Sequence, residues 1–400
     1  MIKVSERIGE IEYSPIRKLA PFAEKAKADG RKVYHLNIGQ PDIHTPECGL
    51  ESLKHISRKV LEYSPSDGFL TLRERLSSYY SGYGIDFSPS EIIVTTGASE
   101  AILFLFMVCL DRGDEVLMTE PTYANYLAFA ASAGVGVVPL KTDIQDGFAL
   151  PSPEDFEKAI TPRTKAILIC NPNNPSGTLY TPEELSGLAD VVRRHGLFLF
   201  SDEVYREFVY DGASFMSAAH LEDIRDNVVI VDSFSKRFSE CGIRVGCIAT
   251  KNNDVLSGMM KLCQARLSPP LLGQIVAEAS FDAGKDYIRD VIAEYSRRRD
   301  VLVEGLRSIP GVSVPKPSGA FYLVAELPVE DAEDFCLWCL RDFSLDGETV
   351  MMSPASGFYI TPGLGRNQVR MAYVLKEEDL KRSVEILAEA LGVYRRIKGC

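Results

Sequence analysis

The stretch 227–250, NVVIVDSFSKRFSECGIRVGCIAT, places a lysine shortly after an apolar run. The run at 228–231 predicts a buried strand. Lys236 follows the end of that strand, which is where open α/β sheets bind their ligands. The hydroxyl groups of Ser233 and Ser235 lie within three residues of it. The stretch therefore predicts both a strand of an open α/β sheet and a candidate ligand site at its end.

An arginine follows the lysine at a short distance. Arg244 is eight residues beyond Lys236, in a second apolar strand predicted at 243–249. An amine can condense with an aldehyde, and hydroxyl and guanidinium groups bind phosphate, so the stretch could hold a phosphorylated aldehyde. Taken alone, a lysine in a loop is far more often an ordinary surface residue. The rest of the chain must supply the other parts of such a site.

Size and composition bound the class of protein. The chain has 400 residues, of which 46% are hydrophobic and 25% are charged, so we expect a globular protein with two domains. Its net charge of −12 argues against nucleic acid or an anionic membrane as a partner. The nine cysteines are scattered, and no long apolar segment is present, so we expect a reduced, cytoplasmic protein.

No metal site is predicted. Cys336 and Cys339 form a C-x-x-C, but they lie in DAEDFCLWCLRDF, where apolar residues recur at helical spacing. A packed helix face explains that pattern better than a zinc site, because no second pair or flanking histidine completes a ligand set.

The order of predicted elements indicates an α/β fold. Strands beginning near 92, 115, 166, 197 and 228 alternate with helices, which predicts a doubly wound, mostly parallel sheet. Further helices are predicted at 15–29, 46–61 and 274–308, with shorter strands at 320–325, 350–353 and 368–375. We predict a large domain over 46–284 and a smaller α+β domain over 285–400, with which residues 1–45 pack.

Polar groups follow several of these strands. Ala98 and Ser99 lie at a predicted helix N-terminus that favours an anion, although tight turns often use small residues without binding anything. Tyr123 follows a strand and is either a rim residue or a packed aromatic. Asn174 lies in the rigid loop NPNNPSG, which could also be a simple turn. Asp202 ends the apolar run LFLF and needs a cation or an N–H group as partner there, or else serves as a cap.

Two further positions stand out near the ends of the chain. Arg370 lies in the apolar strand QVRMAYVL, where a guanidinium requires a carboxylate, either internal or from a substrate. Gly39 lies in a loop after VYHLNIG, which is either a turn or bare backbone beside a ligand.

The ordered motifs resemble a known family. NIGQPD, TGASEA, EPTY, NPNNPSG, SDEVY, SFSK with Arg244 beyond it, and VRMAY together resemble the fold-type I, class I and II aminotransferases, over nearly the whole chain. These are pyridoxal 5′-phosphate enzymes of the aspartate aminotransferase superfamily. SFSK also fits the S-x-x-K motif of serine acyl-enzymes, but no S-D-N or K-T-G partner follows.

The resemblance implies pyridoxal 5′-phosphate as cofactor and assigns its contacts. Lys236 would bond the cofactor aldehyde and move protons, and Asp202 would hold the pyridine nitrogen. Tyr205 and Asn174 would bind the ring 3-oxygen, and Tyr123 would stack on the ring. The remaining residues would bind the phosphate: Ala98, Ser99, Ser233, Ser235 and Arg244. We expect cationic Arg244 and partial burial to lower the pKa of Lys236 from its usual value of about 10.4.

The resemblance also implies a homodimer, because a tyrosine at the position of Tyr63 reaches the phosphate of the neighbouring subunit. For the substrate, it implies that Arg370 binds the α-carboxylate beside Asn174 and the Gly39 backbone. Similarity to bacterial aspartate aminotransferases favours L-aspartate with 2-oxoglutarate.

Substrate recognition departs from the family pattern. Some relatives hold the distal carboxylate with a lysine at the position of Ser99, and others use a partner-subunit arginine ahead of a Pro-Pro pair. Here Arg266 lies three residues before Pro269-Pro270, and it is either that contact or a surface residue. An aromatic- or alanine-type aminotransferase, a β-lyase or decarboxylase on the same fold, and a non-catalytic ligand sensor stay open.

Overall fold

The computed structural model describes residues 2–398. Its helices are α1 Ala20–Ala28, α2 Glu47–Ser52, α3 Leu70–Ser81, α4 Gly97–Cys109, α5 Asn125–Ala133, α6 Pro153–Ala159, α7 Pro182–His195, α8 Phe234–Arg237, α9 Asn253–Arg266, α10 Leu271–Ser280, α11 Gly284–Arg307, α12 Ala332–Arg341 and α13 Glu377–Lys398. Its strands are β1 Lys32–His35, β2 Ile92–Thr95, β3 Glu115–Glu120, β4 Gly136–Lys141, β5 Thr164–Cys170, β6 Phe198–Asp202, β7 Val228–Ser233, β8 Gly246–Thr250, β9 Tyr322–Glu326, β10 Glu348–Met351, β11 Ser353–Pro354 and β12 Gln368–Ala372.

A seven-stranded sheet forms the centre of the molecule, in the order β2-β8-β7-β6-β5-β3-β4. All its strands are parallel except β8, which is antiparallel to both neighbours. Every residue of β7 is buried, because helices cover both faces and the strand is apolar on both sides. The predicted α/β class with a mostly parallel sheet is confirmed.

Helix α7, which flanks the sheet, begins at a strong N-terminal cap. In α7, Thr181 and Glu184 form a reciprocal capping box, with Pro182 in the first turn. The helix buries Leu185, Leu188 and Val192 on its apolar side. This cap fixes where α7 begins after the loop that carries Asn174.

A second group of strands lies outside the central sheet. β11, β12 and β9 form an antiparallel sheet, and β1 pairs in parallel with β10. The N-terminal strand therefore joins the C-terminal part of the chain, with Tyr34 opposite Val350. The domain limits at 45 and 284 stay a prediction.

Several predicted elements are wrong in extent. The helix expected at 274–308 is two helices, α10 and α11, separated by a 3-10 turn at Phe281–Ala283. The helix expected at 46–61 ends at Ser52, and Val60 and Leu61 are exposed, so no buried face supports its continuation.

The N-terminal helix and the strand at 243–249 are also shorter than expected. α1 begins at Ala20, with Pro21 in its first turn, rather than at residue 15. β8 begins at Gly246, and Arg244 lies ahead of it in the left-handed region, with φ of 56°. Strand β4 was not predicted, because Pro139 interrupts its sequence; an edge position tolerates that proline.

Among residues 2–398, no helix combines the length and apolarity needed to cross a membrane. Over the same residues, no group of three or more His, Cys, Asp or Glu side chains could hold a metal ion. Cys336 and Cys339 are buried in α12, where the burial raises the pKa of both thiols.

Candidate active site

A cavity of about 1000 Å³ opens at the carboxyl edge of the central sheet. It is closed on the other side by the N-terminal residues 14–20 and by strands β9 and β12. Most of the residues expected at a site line it: Gly39, Ala98, Ser99, Tyr123, Asn174, Asp202, Tyr205, Ser233, Ser235, Lys236, Arg244 and Arg370.

Lys236 projects from the short helix α8, which continues directly from β7. Its Nζ donates a hydrogen bond to the Gly39 carbonyl oxygen at 2.8 Å and lies 3.9 Å from Cys241 Sγ. The carbonyl of the predicted Gly39 loop therefore orients the amine toward the cavity.

The pKa of Lys236 is raised, so the expectation of a lowered value is wrong for the chain by itself. Burial acts to lower this pKa, but the polar groups of Tyr322, Cys241 and Tyr123 outweigh it. Arg244 does not produce the expected effect, because it is exposed and its Nη1 donates to the Cys241 carbonyl at 3.1 Å.

Asp202 ends β6 and is almost fully buried. Its Oδ2 accepts a hydrogen bond from Tyr126 Oη at 2.5 Å, and its Oδ1 accepts one from the Val204 N–H at 3.2 Å. Burial raises its pKa to about 6 despite these two donors. The expected N–H partner is present, whereas Tyr126 was not predicted from the sequence.

Three polar side chains extend across the cavity floor. Tyr205 Oη lies 3.0 Å from Tyr322 Oη, and Asn174 Nδ2 donates to Tyr205 Oη at 3.5 Å. Tyr123 also lines the cavity, with its ring centroid 5.3 Å from that of Tyr126. Tyr322 comes from β9, and its position in an apolar strand gave no sign of a role at the site.

One end of the cavity is built to hold an anion. Ala98 and Ser99 lie in the first turn of α4, where backbone N–H groups are unsatisfied. Arg244 reaches the same edge because β8 is antiparallel, so that its start meets the ends of the other strands. At Gly97, φ is 73° and a Cβ would lie 2.5 Å from Arg244 Nη2, so a glycine is required for the guanidinium to pack there.

The serines complete this end. Ser233 Oγ lies 2.9 Å from Ser235 Oγ, and it also accepts the Ser235 N–H at 3.1 Å. Both serines are buried at the junction of β7 and α8. A guanidinium, two hydroxyls and a helix N-terminus together suit a phosphate group.

A buried guanidinium also lines the cavity. Arg370 in β12 is 1% exposed, donates from Nη1 to Asn174 Oδ1 at 3.3 Å, and donates from Nη2 to the Asn37 carbonyl oxygen. Its Nε has no hydrogen-bond partner, and no carboxylate of residues 2–398 pairs with it within 4 Å. A buried cation without a counter-ion is costly, so this group is suited to an incoming carboxylate.

Comparison with known proteins agrees with this geometry. Residues 31–387 match the family described as aminotransferase class I and II. This chain belongs to that family. It is 32% identical to an aspartate aminotransferase of Geobacillus stearothermophilus, covering 96% of this chain and 98% of the relative. It is 33% identical to a probable aspartate/prephenate aminotransferase of Aquifex aeolicus, covering 97% and 98%.

The fold of the aminotransferase matches solved relatives as well. An aspartate aminotransferase from Thermus thermophilus with maleate superposes with a TM-score of 0.87 at 30% identity, covering 98% of this chain and all of that one. That of Rhizobium meliloti superposes at 0.89 and 29% identity, covering 98% and 99%. The resemblance stated from the motifs is confirmed, and members of this family depend on pyridoxal phosphate.

Two expected site residues of the aminotransferase lie outside the cavity. Tyr63 is 75% exposed on the surface. Arg266 is partly buried, with Nη1 3.5 Å from Glu100 Oε2 and Nη2 donating to the Ser66 carbonyl oxygen at 3.1 Å. Within one chain, neither reaches the other groups, so their predicted roles depend on a second subunit.

Proposed function

We propose that this aminotransferase uses pyridoxal 5′-phosphate to transfer the amino group of L-aspartate to 2-oxoglutarate, giving oxaloacetate and L-glutamate. The supporting observation is the placement of Arg370, a buried guanidinium without a carboxylate partner, in one cavity with Lys236 and Asp202. The names of the similar proteins favour aspartate as the donor.

The residues fit the cofactor from end to end. Ala98, Ser99, Ser233, Ser235 and Arg244 would bind its phosphate. Asp202 would hold a proton on the ring nitrogen, Tyr205 and Asn174 would donate to the 3-oxygen, and Tyr123 would stack on the ring. When bound, pyridoxal phosphate supplies an electron sink for the charge that develops at the substrate Cα.

Lys236 would move the proton. Its Nζ donates to the Gly39 carbonyl at 2.8 Å. The amine therefore lies beside the Gly39 loop, which would face the substrate. As general base, the neutral amine would take the proton from the substrate Cα and deliver it to the carbon of the former cofactor aldehyde, which is the 1,3-shift that transamination requires. A neutral amine requires that the pKa of Lys236 be lower than its raised value in the chain by itself. The assembled site must therefore lower this pKa.

Arg370 would orient the substrate by binding its α-carboxylate through two donors. Asn174 Oδ1 already holds Arg370 Nη1, so this amide would link the carboxylate site to the ring 3-oxygen site. Such coupling places the Cα of any α-amino acid at a fixed position relative to Lys236.

We also propose a cytoplasmic homodimer with shared active sites. Its acidic net charge of −12 and scattered cysteines support the location. Several exposed apolar side chains near Tyr63 in sequence support the association: Leu53, Val60, Leu61 and Leu70.

A panel of amino donors with 2-oxoglutarate tests this function. We expect L-aspartate to give glutamate fastest, and borohydride treatment of the cofactor-loaded protein to couple cofactor covalently to Lys236. Faster turnover of alanine or an aromatic amino acid would indicate those specificities. Product formation without 2-oxoglutarate would indicate a lyase or decarboxylase, and the absence of a visible cofactor band would indicate a ligand sensor.

A further inference from the structure

The cavity contains one cation more than the proposed cofactor and an α-carboxylate require. Four cationic side chains line it, and Asp202 is the single carboxylate among its lining residues. In the proposed function, Lys236 serves the aldehyde, Arg244 the phosphate and Arg370 the α-carboxylate. The fourth cation, Arg17, has no assigned ligand.

Arg17 is exposed at the cavity, and its guanidinium makes no ion pair or hydrogen bond with any of residues 2–398. Its backbone, in contrast, is well held. The Arg17 N–H donates to the Ser14 carbonyl at 3.0 Å, and the Ala20 N–H donates to the Arg17 carbonyl at 2.9 Å. Pro15 packs against Gly357, where a Cβ would come within 2.6 Å of the proline. A fixed backbone with an unpaired guanidinium is suited to binding an anion that enters from solvent.

The turn that carries Arg17 is connected to Arg370 through one residue. Asn37 Nδ2 donates to the Ile16 carbonyl oxygen at 2.8 Å, and the Asn37 carbonyl oxygen accepts from Arg370 Nη2. The backbone at Arg17 is therefore held at a fixed position relative to Arg370, the residue proposed to bind the α-carboxylate. Two guanidiniums on one cavity, one buried and one at its mouth, suit a substrate with two carboxylates.

The other residues considered for binding a distal carboxylate are less suitable within one chain. Ser99 is neutral, and the phosphate end of the cavity uses it. Arg266 does not line the cavity, and Glu100 and the Ser66 carbonyl already engage its guanidinium.

We propose that Arg17 is a specificity-determining residue that binds the distal carboxylate of a dicarboxylic substrate. This inference rests on the proposed function. It accounts for the second carboxylate that the proposed amino and oxo acids share, and it assigns recognition of that group to the N-terminal turn of the same chain.

Replacing Arg17 by glutamine tests the inference in single-turnover half-reactions of the cofactor-loaded enzyme. We expect the Arg17→Gln variant to react at least tenfold less efficiently with L-aspartate and L-glutamate, because a charge-assisted hydrogen bond is lost. The efficiency with L-alanine should change less than threefold, roughly the scatter expected for a surface substitution. Arg17→Lys should recover part of the dicarboxylate preference.

Binding of maleate against isocrotonate, the monocarboxylate with the same cis four-carbon skeleton, supplies a readout that needs no turnover. We expect the wild-type enzyme to prefer maleate and Arg17→Gln to lose that preference. Lys18→Gln is the matched control: Lys18 is the adjacent cation, pairs with Glu333 at 2.5 Å and does not line the cavity. It should leave both measurements unchanged.

The outcomes separate the two proposals. If aspartate is not a substrate but maleate binding depends on Arg17, the aspartate reaction is wrong and the role of Arg17 stands. If Arg17→Gln keeps the wild-type preference for dicarboxylates, the inference is overturned while the reaction stands. A loss of that preference in Arg266→Gln instead of Arg17→Gln would assign the role to Arg266. No preference for maleate in the wild-type enzyme would overturn the role of Arg17.

Discussion

At the scale of single residues, the buried carboxylate of Asp202 destabilises the fold, although the proposed chemistry requires it. Its pKa of about 6 lies above the ordinary value of 3.8 because the carboxylate is buried. A raised folded-state pKa means that ionisation costs stability as pH rises from 3.8 to 6, and that the full cost is present at pH 7. At 1.4 kcal/mol per pH unit, this cost is on the order of 3 kcal/mol.

We therefore predict opposite effects of Asp202→Asn on stability and activity. At pH 7 the cofactor-free variant should be more stable than the wild type by up to about 3 kcal/mol, and the difference should vanish below pH 4. The variant should still bind cofactor but lose most turnover, because a neutral amide cannot stabilise a protonated ring nitrogen. Urea unfolding at pH 4 and 7 and the rate of the aspartate half-reaction check this; near-normal turnover would refute the assigned role.

The sequence motifs identified the charged residues proposed to act in the reaction. They did not identify the tyrosines that hold these and other site residues in place. Lys236, Asp202 and Arg370 were found because each is a charged group at the end of, or inside, an apolar strand. Tyr126 and Tyr322 were missed, because a tyrosine in an apolar helix or strand is usually a core residue. Their hydrogen bonds to Asp202 and Tyr205 depend on tertiary placement, which local pattern does not specify.

At the scale of elements, the turn between β7 and α8 is closed by a buried ion pair. Arg237 Nη2 lies 2.6 Å from Asp232 Oδ2, and both side chains are at most 2% exposed. Asp232 and Arg237 flank the segment that carries Ser233, Ser235 and Lys236, so the pair holds both ends of that segment. Asp232 Oδ1 also accepts the Ser233 N–H at 2.7 Å.

Breaking this pair from one side should destabilise the protein. In Arg237→Met the nearest cation to Asp232 is Arg206, whose Nη1 is 4.0 Å away, and we expect a loss of about 3 kcal/mol or more. Adding Asp232→Asn should recover part of the loss, because the uncompensated charge is removed. Arg193→Met, which breaks an exposed pair with Asp190, is the control and should cost at most about 1 kcal/mol in urea unfolding. Equal losses in the buried and exposed variants would contradict this account.

Element boundaries were harder to predict than element order. The alternation of apolar runs was sufficient to predict the parallel sheet, since each run had to be buried on both faces. The antiparallel direction of β8 was not predicted, because the direction depends on the length of the connection through Arg244 rather than on the composition of the strand. The sequence does not separate α11 from α10, because both helices are amphipathic and no proline lies between them.

At the scale of the whole molecule, several large apolar side chains are exposed on the surface. Val60, Leu61 and Tyr63 are each more than 60% exposed, and Leu267 and Leu70 are at least half exposed. Large exposed apolar patches mark interaction sites in soluble proteins, and we propose that these side chains belong to one. A homodimer would cover it, and it would bring Tyr63 of the partner subunit within reach of a second cavity.

We predict that Tyr63 acts across such a dimer. Tyr63→Phe should weaken cofactor binding about tenfold, the effect of losing one hydrogen bond to a charged phosphate, while leaving the dimer intact on gel filtration. A mixture with Lys236→Ala decides the direction of the contact. In a hybrid dimer with shared sites, the site that keeps Lys236 receives an intact Tyr63 from the other subunit. Its cofactor affinity and activity should therefore return to wild-type values. If Tyr63 acts within its own chain, the same site keeps the phenylalanine and the hybrid shows no recovery, which would rule out shared sites.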